Sequence, residues 1–216
     1  MKPHANFNFI ARPYRWLEYL TLGGRLERCR LHFLPHLRDQ KKALVLGDGD
    51  GRFLAELMAA APDIHADAID SSSAMLRLLR RRCASRTLDA AARLETHHID
   101  ALAFRPVGPY DLIVTHFFLD CLDEPSLDAL VIRIRRSLAP GALWVVSDFR
   151  IPSGPMRLPA LILVRGLYLA FRILTGLRTN RLPNHAEALS EAGLVRTACH
   201  PSFSGMLITE LWQLQT

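Results

Sequence analysis

Apolar residues of this chain fall into short runs that alternate with longer amphipathic segments. The runs with the length of buried strands are 43–46, 66–69, 93–99, 110–115 and 143–147. The segments with apolar residues at helical spacing are 51–60, 74–82 and 124–138. Strands separated by helices form parallel sheets with right-handed crossovers, so the pattern predicts an α/β fold with a doubly wound sheet.

The boundaries of these segments predict one domain over 1–216 with four parts. We expect a helical N-terminal cap over 1–40, a core over 43–149, a basic apolar lid over 150–184, and a C-terminal helix and hairpin over 185–216. The lid contains a long apolar helix at 155–178, with Pro159 near its first turn. Pro140 and Gly141 are expected to end the helix at 124–138.

Composition and charge indicate a globular protein and argue against some other classes. The chain has 216 residues, half of them hydrophobic, which suits one globular core. Basic residues concentrate in 1–42 and 150–181, whereas 43–149 is mildly acidic. Charged residues interrupt the apolar stretches near both basic segments, which argues against a signal peptide and a membrane span. A cytoplasmic location is therefore expected.

The four cysteines lack the spacing of a metal site or a disulfide framework. Cys29, Cys83, Cys121 and Cys199 are scattered, without a Cys-x-x-Cys pair. We expect buried, unreactive thiols and no bound metal.

A glycine-rich turn follows the first predicted strand. Gly47, Gly49 and Gly51 alternate with Asp48 and Asp50, which permits a tight turn and close approach of the backbone to a ligand. The third glycine comes one residue too early for the dinucleotide-binding pattern Gly-x-Gly-x-x-Gly. A turn without any ligand is the alternative.

Acidic residues end the next two predicted strands. Asp70 lies where a carboxylate accepts hydrogen bonds from ribose hydroxyls, and Asp100 precedes Ala101 at the end of the third strand. The alternatives are a helix cap at Asp70, beside Ser71, and an ordinary turn at Asp100. The serines at 71–73 are expected to cap the helix that follows.

Taken in order, these motifs resemble those of class I S-adenosylmethionine-dependent methyltransferases. The resemblance covers about residues 43–149 and includes 71–75 after Asp70 and the run 110–114. It implies a seven-stranded sheet of order 3-2-1-4-5-7-6 with strand 7 antiparallel, and S-adenosylmethionine as cofactor. The residues 7–17 also resemble the first helix of ubiquinone and menaquinone C-methyltransferases, which adds Tyr14 to the expected cofactor contacts.

The expected cofactor-binding residues are Gly47, Asp48, Gly49, Asp50, Gly51, Asp70, Ser71, Met75, Asp100, Ala101, Thr115, His116 and Tyr14. One family feature is missing, because Val45 stands where an acid two residues before the first glycine is usual. Asp48 or Asp50 is a candidate substitute for that acid, and a merely solvated Asp48 is the alternative.

Candidate catalytic residues follow the fourth predicted strand. His116 is of the residue type most often used to accept protons near neutral pH. A structural role for His116 beside the cofactor is the alternative. Asp120 is expected either to orient His116 or to cap the helix that begins near Pro125.

The predicted function is methyl transfer to O, N or C of a small apolar acceptor, quinone-like or lipid-like. The lid presents apolar residues with Arg165 and Arg172 on one side, which predicts a cover over such an acceptor and contact with the inner face of an anionic membrane. A helix with solvated arginines is the alternative. The loop after strand four lacks the motifs of nucleic-acid methyltransferases, so nucleic acid is not the favoured partner. An RNA or protein methyltransferase and a non-catalytic adenosylmethionine-binding protein remain alternatives.

Overall fold

A seven-stranded sheet of order β3-β2-β1-β4-β5-β7-β6 forms the centre of the protein. The computed structural model describes residues 24–175 and 182–215, with the side chains of 24–166 and 182–215. The strands are β1 (Lys42–Leu46), β2 (His65–Asp70), β3 (Leu94–His98), β4 (Tyr110–His116), β5 (Leu138–Phe149), β6 (Leu194–Ser202) and β7 (Leu207–Leu214). The first five are parallel and β7 runs antiparallel to both β5 and β6, which confirms the predicted sheet.

Helices cover both faces of the sheet. They are α1 (Arg25–Leu31), α2 (Arg52–Ala60), α3 (Ser73–Arg86), α4 (Ala90–Arg93), α5 (Glu124–Arg135), α6 (Arg157–Thr175) and α7 (His185–Glu191). One core cluster joins Val45, Ala68 and Val114 to α2 and α3, and the other joins Leu46 and Ile113 to α5 and α7. Side chains of each strand alternate between the two faces of the sheet, and helices cover both faces. The loops at the carboxyl ends of the strands are therefore the place where a ligand can bind.

Two predicted boundaries are corrected by the structure. The helix predicted over 124–138 ends at Arg135, and Pro140 and Gly141 lie inside β5 instead of ending a helix. The β4–β5 pairing shifts its register between Tyr110 and Leu112, opposite this part of β5. A proline without an N–H is tolerated where the ladder is irregular, which explains its place in a strand.

The N-terminal cap is described from residue 24 onward, where α1 lies against β7 and α2. The thiol of Cys29 lies 2.9 Å from Thr209 Oγ1, and the Thr209 hydroxyl donates to the Cys29 carbonyl at 2.8 Å. These buried bonds fix α1 on the sheet. Tyr14 and the rest of 1–23 lie outside the described residues.

The lid segment contains α6, which begins at Arg157, two residues later than predicted, and residues 176–178 of the predicted helix lie outside the described residues. Val164 is 5% exposed and packs against Cys121, Phe149 and Leu182, so α6 covers the carboxyl ends of β4 and β5. Within the described part of the chain, none of the helices is long and apolar enough to span a bilayer. Arg172, Arg178 and Arg181 lie outside the residues whose side chains are described.

Candidate active site

The glycine-rich turn joins β1 to α2 with three glycines in the left-handed region. Gly47, Gly49 and Gly51 have φ of 67°, 59° and 80°. A Cβ on Gly47 would lie 2.5 Å from Phe118 Cδ2, and a Cβ on Gly51 would lie 2.8 Å from the Leu79 backbone. Both positions therefore require glycine for space as well as for conformation. The Gly47 N–H donates to Ile69 O at 3.0 Å, which joins the ends of β1 and β2.

Asp48 points beneath the turn, towards the first residues of α2. Its Oδ2 accepts a hydrogen bond from the Leu54 N–H at 3.0 Å, so it supplies the cap that the glycine at position 51 cannot. Its Oδ1 is buried and has no hydrogen-bond partner among the described residues. Burial raises the pKa of Asp48 to about 7, although the Leu54 N–H and the charge of Arg30 act against the rise. Asp48 is thus not the solvated residue of the alternative interpretation.

Asp50 is held by two arginines on the outer side of the turn. Its carboxylate lies 2.7 Å from Arg82 Nη2 and 3.2 Å from Arg52 Nε. Arg82 also donates to the Asp50 carbonyl at 3.0 Å. These bonds tie the turn to α3, so the charge of Asp50 is already balanced by the protein itself.

The carboxyl ends of β2 and β3 lie together beside the turn. Asp70 Oδ1 accepts from the Ser72 N–H at 2.7 Å, and its backbone carbonyl accepts from the Ile99 N–H at 3.2 Å. Burial raises the pKa of Asp70 to about 6, with the Ser72 N–H and His98 opposing the rise. Asp70 therefore lies at the carboxyl edge of the sheet, where the turn at Asp100 also begins.

The neighbours of Asp70 divide between helix capping and the turn at Asp100. Ser72, rather than Ser71, caps α3 by accepting from the Met75 N–H at 3.3 Å. Asp100 Oδ1 accepts from the Leu102 N–H at 2.8 Å, and Ala101 is 9% exposed. Asp70 and Asp100 thus each bind a backbone N–H of their own turn, and this is compatible with a place beside the glycine turn.

The end of β4 carries polar residues that face opposite sides of the sheet. Thr115 is fully buried, and its hydroxyl accepts a hydrogen bond from Trp144 Nε1 at 2.9 Å within the core. His116 is 2% exposed, its ring centroid is 4.4 Å from that of Phe53, and neither ring nitrogen has a hydrogen-bond partner in the described part of the chain. Burial lowers the pKa of His116 well below its ordinary value, and the charge of Arg30 lowers it further.

The sequence predicts that Asp120 either orients His116 or caps α5. No hydrogen bond joins it to His116 in the described residues, and the cap of α5 is Asp123, which accepts from the Ser126 N–H at 3.0 Å. The expectation that Asp120 caps this helix is therefore wrong. It comes three residues too early, because residues 119–121 form a 3-10 turn before the helix.

Asp120 instead lies beside Asp148, at the carboxyl ends of neighbouring strands. The two side chains are 5% and 2% exposed. Burial raises the pKa of Asp120 to about 6, while His185 and the Cys121 thiol act in the opposite direction. Burial and the neighbouring Asp120 carboxyl raise the pKa of Asp148 well above its ordinary value. Like charges in neighbouring carboxyls disfavour double ionisation, which is a second cause of the raised pKa of Asp148.

Two charged residues in this region, Asp148 and Arg30, are not among the residues predicted from the sequence. Asp148 ends an apolar strand, which is the same signal that identified Asp70 and Asp100. Arg30 is 9% exposed on α1, and its guanidinium lies 5.0 Å from the ring centroid of Phe117. An arginine among several in one helix gives no signal in the sequence. Phe117 itself adopts φ of 53°, a conformation that costs a non-glycine residue free energy at the end of β4.

Another cluster of polar side chains lies between β2 and β3. Asp67, Glu95 and His97 bring their ligand atoms within 4.8 Å of one another, as metal ligands do. Asp67 already accepts from the Tyr110 hydroxyl at 2.7 Å and lies 2.9 Å from His97 Nε2. The cluster therefore serves to join three strands.

The cysteines match the predicted thiol chemistry only in part. Cys29 and Cys83 are buried and burial raises the pKa of each, whereas Cys199 is exposed on β6. The expectation of four buried thiols is wrong for Cys199, because side chains of this edge strand alternate between the core and solvent.

The residues at the carboxyl edge fit S-adenosylmethionine. The turn at 47–51 exposes backbone, Asp70 offers a carboxylate to the ribose, and two buried polar groups, Asp48 Oδ1 and the His116 imidazole, have no partner among the described residues. A buried polar atom without a partner is costly, which indicates that a ligand or water completes the site. The turn, Asp70 and Asp100 would hold the nucleoside, as the sequence predicts.

Comparisons with known proteins agree with this fold. The model of the methyltransferase domain family matches residues 44–144. No curated protein sequence matches the chain. Among solved structures, the N-methyltransferase NodS from Bradyrhizobium japonicum in complex with S-adenosyl-L-homocysteine is similar with a TM-score of 0.63, at 18% identity over 88% of each chain.

Two O-methyltransferase structures share the same fold. A putative O-methyltransferase from Nostoc punctiforme has a TM-score of 0.72 at 17% identity, and covers 94% of this chain and 58% of its own. The mitomycin 7-O-methyltransferase MmcR has a TM-score of 0.69 at 16% identity, and covers 97% of this chain and 60% of its own. The chain thus spans about three fifths of these two enzymes. Residues 44–144 match the methyltransferase domain family, and this match together with the shared fold supports a class I S-adenosylmethionine-dependent methyltransferase.

Proposed function

We propose that this enzyme methylates an O, N or C atom of a small acceptor with apolar groups, held between α6 and the carboxyl ends of β4 and β5. The observation that carries the proposal is an apolar helix packed at the strand ends that hold a buried acidic pair. Val164 of α6 packs on Cys121 and Phe149, next to Asp120 and Asp148. An apolar surface with a few polar groups is typical of small-molecule sites.

S-adenosylmethionine supplies, when bound, a methyl group on a sulfonium that a nucleophile displaces in line. The chain contributes orientation and exclusion of water, which together are worth up to about 7–11 kcal/mol in well-aligned cases. The turn at 47–51 and Asp70 hold the nucleoside end, and α6 shields the acceptor from water. Because the displacement removes the positive charge from sulfur, surroundings of low polarity favour it.

Asp120 is the better candidate to accept a proton from the acceptor. A base acts best when its pKa lies near the working pH, and burial raises the pKa of Asp120 to about 6. By residue type alone, His116 is the favoured candidate. Burial lowers its pKa well below the ordinary value, so His116 is a weak base in this site. In this proposal its neutral ring contacts the ligand without accepting the proton.

The first experiment identifies the acceptor. The purified protein is incubated with S-adenosylmethionine labelled in its methyl group and with a cell lipid and quinone extract, total RNA or a protein extract in parallel. We expect label in the small-molecule organic fraction only. Label in RNA or protein contradicts the proposal in favour of those alternatives. Binding of the cofactor without label in any fraction favours a non-catalytic protein.

The second experiment tests Asp120 once an acceptor is known. We expect Asp120→Asn to lower kcat by about 10²-fold or more, and to remove the fall in kcat as pH drops through about 6. Asp128→Asn is the matched control, because Asp128 lies exposed on α5. An Asp120→Asn profile that keeps the fall with lowered kcat shows that another group titrates. His116→Gln distinguishes whether that group is His116.

We also propose that α6 rests on an anionic membrane surface. Leu158 and Ile162 are 68% and 72% exposed, one helical turn apart, and Arg165 lies exposed beyond them. An exposed apolar row beside arginines favours the interface of an anionic bilayer. We expect sedimentation with phosphatidylglycerol vesicles at low salt and loss of sedimentation in the double variant Leu158→Ser with Ile162→Ser. The exposed Ile132→Ser on α5 is the control, and wild-type protein that stays in the supernatant contradicts the proposal.

A further inference from the structure

We propose that His185, held in place by Glu210, is a positioning residue that keeps the Asp120 carboxyl ionised and therefore able to accept a proton. This inference rests on the proposed function, in which Asp120 takes the proton of the acceptor. It adds two residues of the C-terminal part of the chain, which lie outside the stretch 44–144 that matches the methyltransferase domain.

The pairing of β5 with β7 places Glu210 on the same face of the sheet as Asp148. Glu210 is paired with Val146, and Asp148 lies two residues after Val146 on β5. Directly paired residues share a face, and so do residues two apart on one strand. Glu210 and Asp148 are both buried, and the charge of Glu210 adds to the rise in the pKa of Asp148. The acidic pair thus has a third carboxyl group as a neighbour.

The Glu210 carboxylate fixes the imidazole of His185, the first residue of α7. Glu210 Oε2 lies 3.0 Å from His185 Nε2 and also accepts from Trp212 Nε1 at 3.0 Å. Arg196 Nη1 donates to Glu210 Oε1 at 2.6 Å. Burial opposes ionisation of Glu210, but these hydrogen bonds lower its pKa. Because an ionised carboxylate only accepts hydrogen bonds, His185 Nε2 carries a proton and the orientation of the ring is fixed.

The chain on both sides of His185 contacts the segment that carries Asp120. The backbone N–H of Asn184, which precedes His185, donates to Glu124 Oε1 at 2.9 Å. After His185, α7 enters the core cluster that contains Leu119, the residue before Asp120. Burial raises the pKa of Asp120, and the charge of His185 opposes the rise. The packing of α7 therefore brings the imidazole close enough to act on the Asp120 carboxyl.

The titratable groups around Asp120 come from four elements. The Cys121 thiol, from the same turn, donates to Asp120 Oδ1 at 3.6 Å. Asp148 on β5 accepts from the Asp120 N–H, and Glu210 on β7 lies beyond it. The positive charge that acts on Asp120 comes from His185 on α7. Only the carboxylate form of Asp120 can accept a proton, so this charge increases the fraction of enzyme that is competent at a given pH.

The test measures the titration of Asp120 directly by NMR and needs no acceptor. The aspartate side-chain carboxyls are labelled with carbon-13, and Asp120→Asn identifies the Asp120 signal. We expect the midpoint of this titration to lie about one pH unit higher in His185→Gln than in wild type, because the amide carries no charge. In His185→Lys, which restores a positive charge, the midpoint should lie no higher than in wild type. His65→Gln, at the exposed start of β2, is the control and should titrate as wild type.

Two outcomes contradict the inference. Equal midpoints in His185→Gln and wild type show that His185 does not act on Asp120. Equally raised midpoints in His185→Gln and His185→Lys show that His185 acts through the fold and not through its charge. Should His185→Gln lose its folded circular dichroism spectrum, His185→Lys decides alone, and a midpoint above that of wild type contradicts the inference.

The proposed role of Asp120 fails in a different way. Once an acceptor is known, the fall in kcat at low pH should move with the Asp120 midpoint in His185→Gln, while KM stays unchanged. If the midpoint moves but Asp120→Asn keeps full turnover, Asp120 is not the base. In that case the proposed role of Asp120 is wrong, and the control of its ionisation by His185 is still supported.

Discussion

The carboxylate of Asp148 accepts a hydrogen bond from the backbone N–H of Asp120, and the two acids lie together at the carboxyl ends of β4 and β5. Burial raises the pKa of both groups, and the Asp120 carboxyl raises that of Asp148 further. This arrangement has costs for stability that depend on pH. Those costs can be measured without any knowledge of the acceptor.

Asp148→Asn should change the dependence of stability on pH. A carboxyl group with a raised pKa binds protons more tightly in the folded state than in the unfolded state. Its stabilising effect is therefore complete at low pH and is lost as pH rises through the folded pKa. We expect the free energy of unfolding of Asp148→Asn, relative to wild type, to be roughly 1–3 kcal/mol more favourable at pH 8 than at pH 5.

Urea unfolding at the two pH values measures this difference. Asp128→Asn on the exposed side of α5 should differ from wild type by the same small amount at both. Parallel stability curves for Asp148→Asn and wild type would show that Asp148 does not titrate in this range.

Asp70→Ala should weaken cofactor binding by roughly 1.5–3 kcal/mol, the range for hydrogen bonds to a charged group. Titration calorimetry with S-adenosylhomocysteine checks the value. Asp63→Ala is the control, because Asp63 pairs with Lys41 on the surface. Equal affinity of Asp70→Ala and wild type would remove the ribose-binding role from Asp70.

The same residue gives cofactor binding a pH dependence. Burial raises the pKa of Asp70 to about 6, so protonation below that pH removes the charged acceptor for the ribose hydroxyls. We expect the affinity for S-adenosylhomocysteine to fall between pH 7.5 and pH 5. Asp70→Asn should lose this part of the dependence, and an unchanged pH profile in the variant points to another group.

Ser72→Ala should destabilise the fold by about 1 kcal/mol, because Ser72 Oγ accepts the Met75 N–H at the start of α3. Thermal unfolding measures the loss. Ser73→Ala one residue later removes only a surface contact with Arg77 and serves as the matched control. Similar melting temperatures for the two variants would contradict the assignment of Ser72 as the cap.

Cys199 should be the one cysteine of the four that reacts rapidly with a thiol reagent in the folded protein. It is exposed, whereas Cys29 and Cys83 are buried and Cys121 is half-buried with a raised pKa. Ellman's reagent should modify about one thiol in native wild type and none rapidly in Cys199→Ser. Fast reaction of a second thiol would show that one of the covered cysteines becomes accessible.

The order of strands and helices in the core can be predicted from local sequence patterns. Apolar runs of strand length, glycines at alternate positions and acids at strand ends predict the sheet, the turn at 47–51 and the edge at which Asp70 and Asp100 lie. The periodicities of strands and helices depend on residues close in sequence, so they can be recognised in a single sequence. The matched motifs are local for the same reason.

Only the tertiary structure decided which charged side chains meet. Asp48 points towards α2, Asp120 lies beside Asp148 rather than His116, and Arg30 belongs to α1, outside the core. The contacts of Asp120 and Arg30 join residues distant in sequence, and all three depend on the side of the strand or loop from which a side chain projects. Burial then raised the pKa values of Asp48, Asp120 and Asp148. Solvation and charge in the folded state, which no spacing along the chain records, determined the chemistry available at the site.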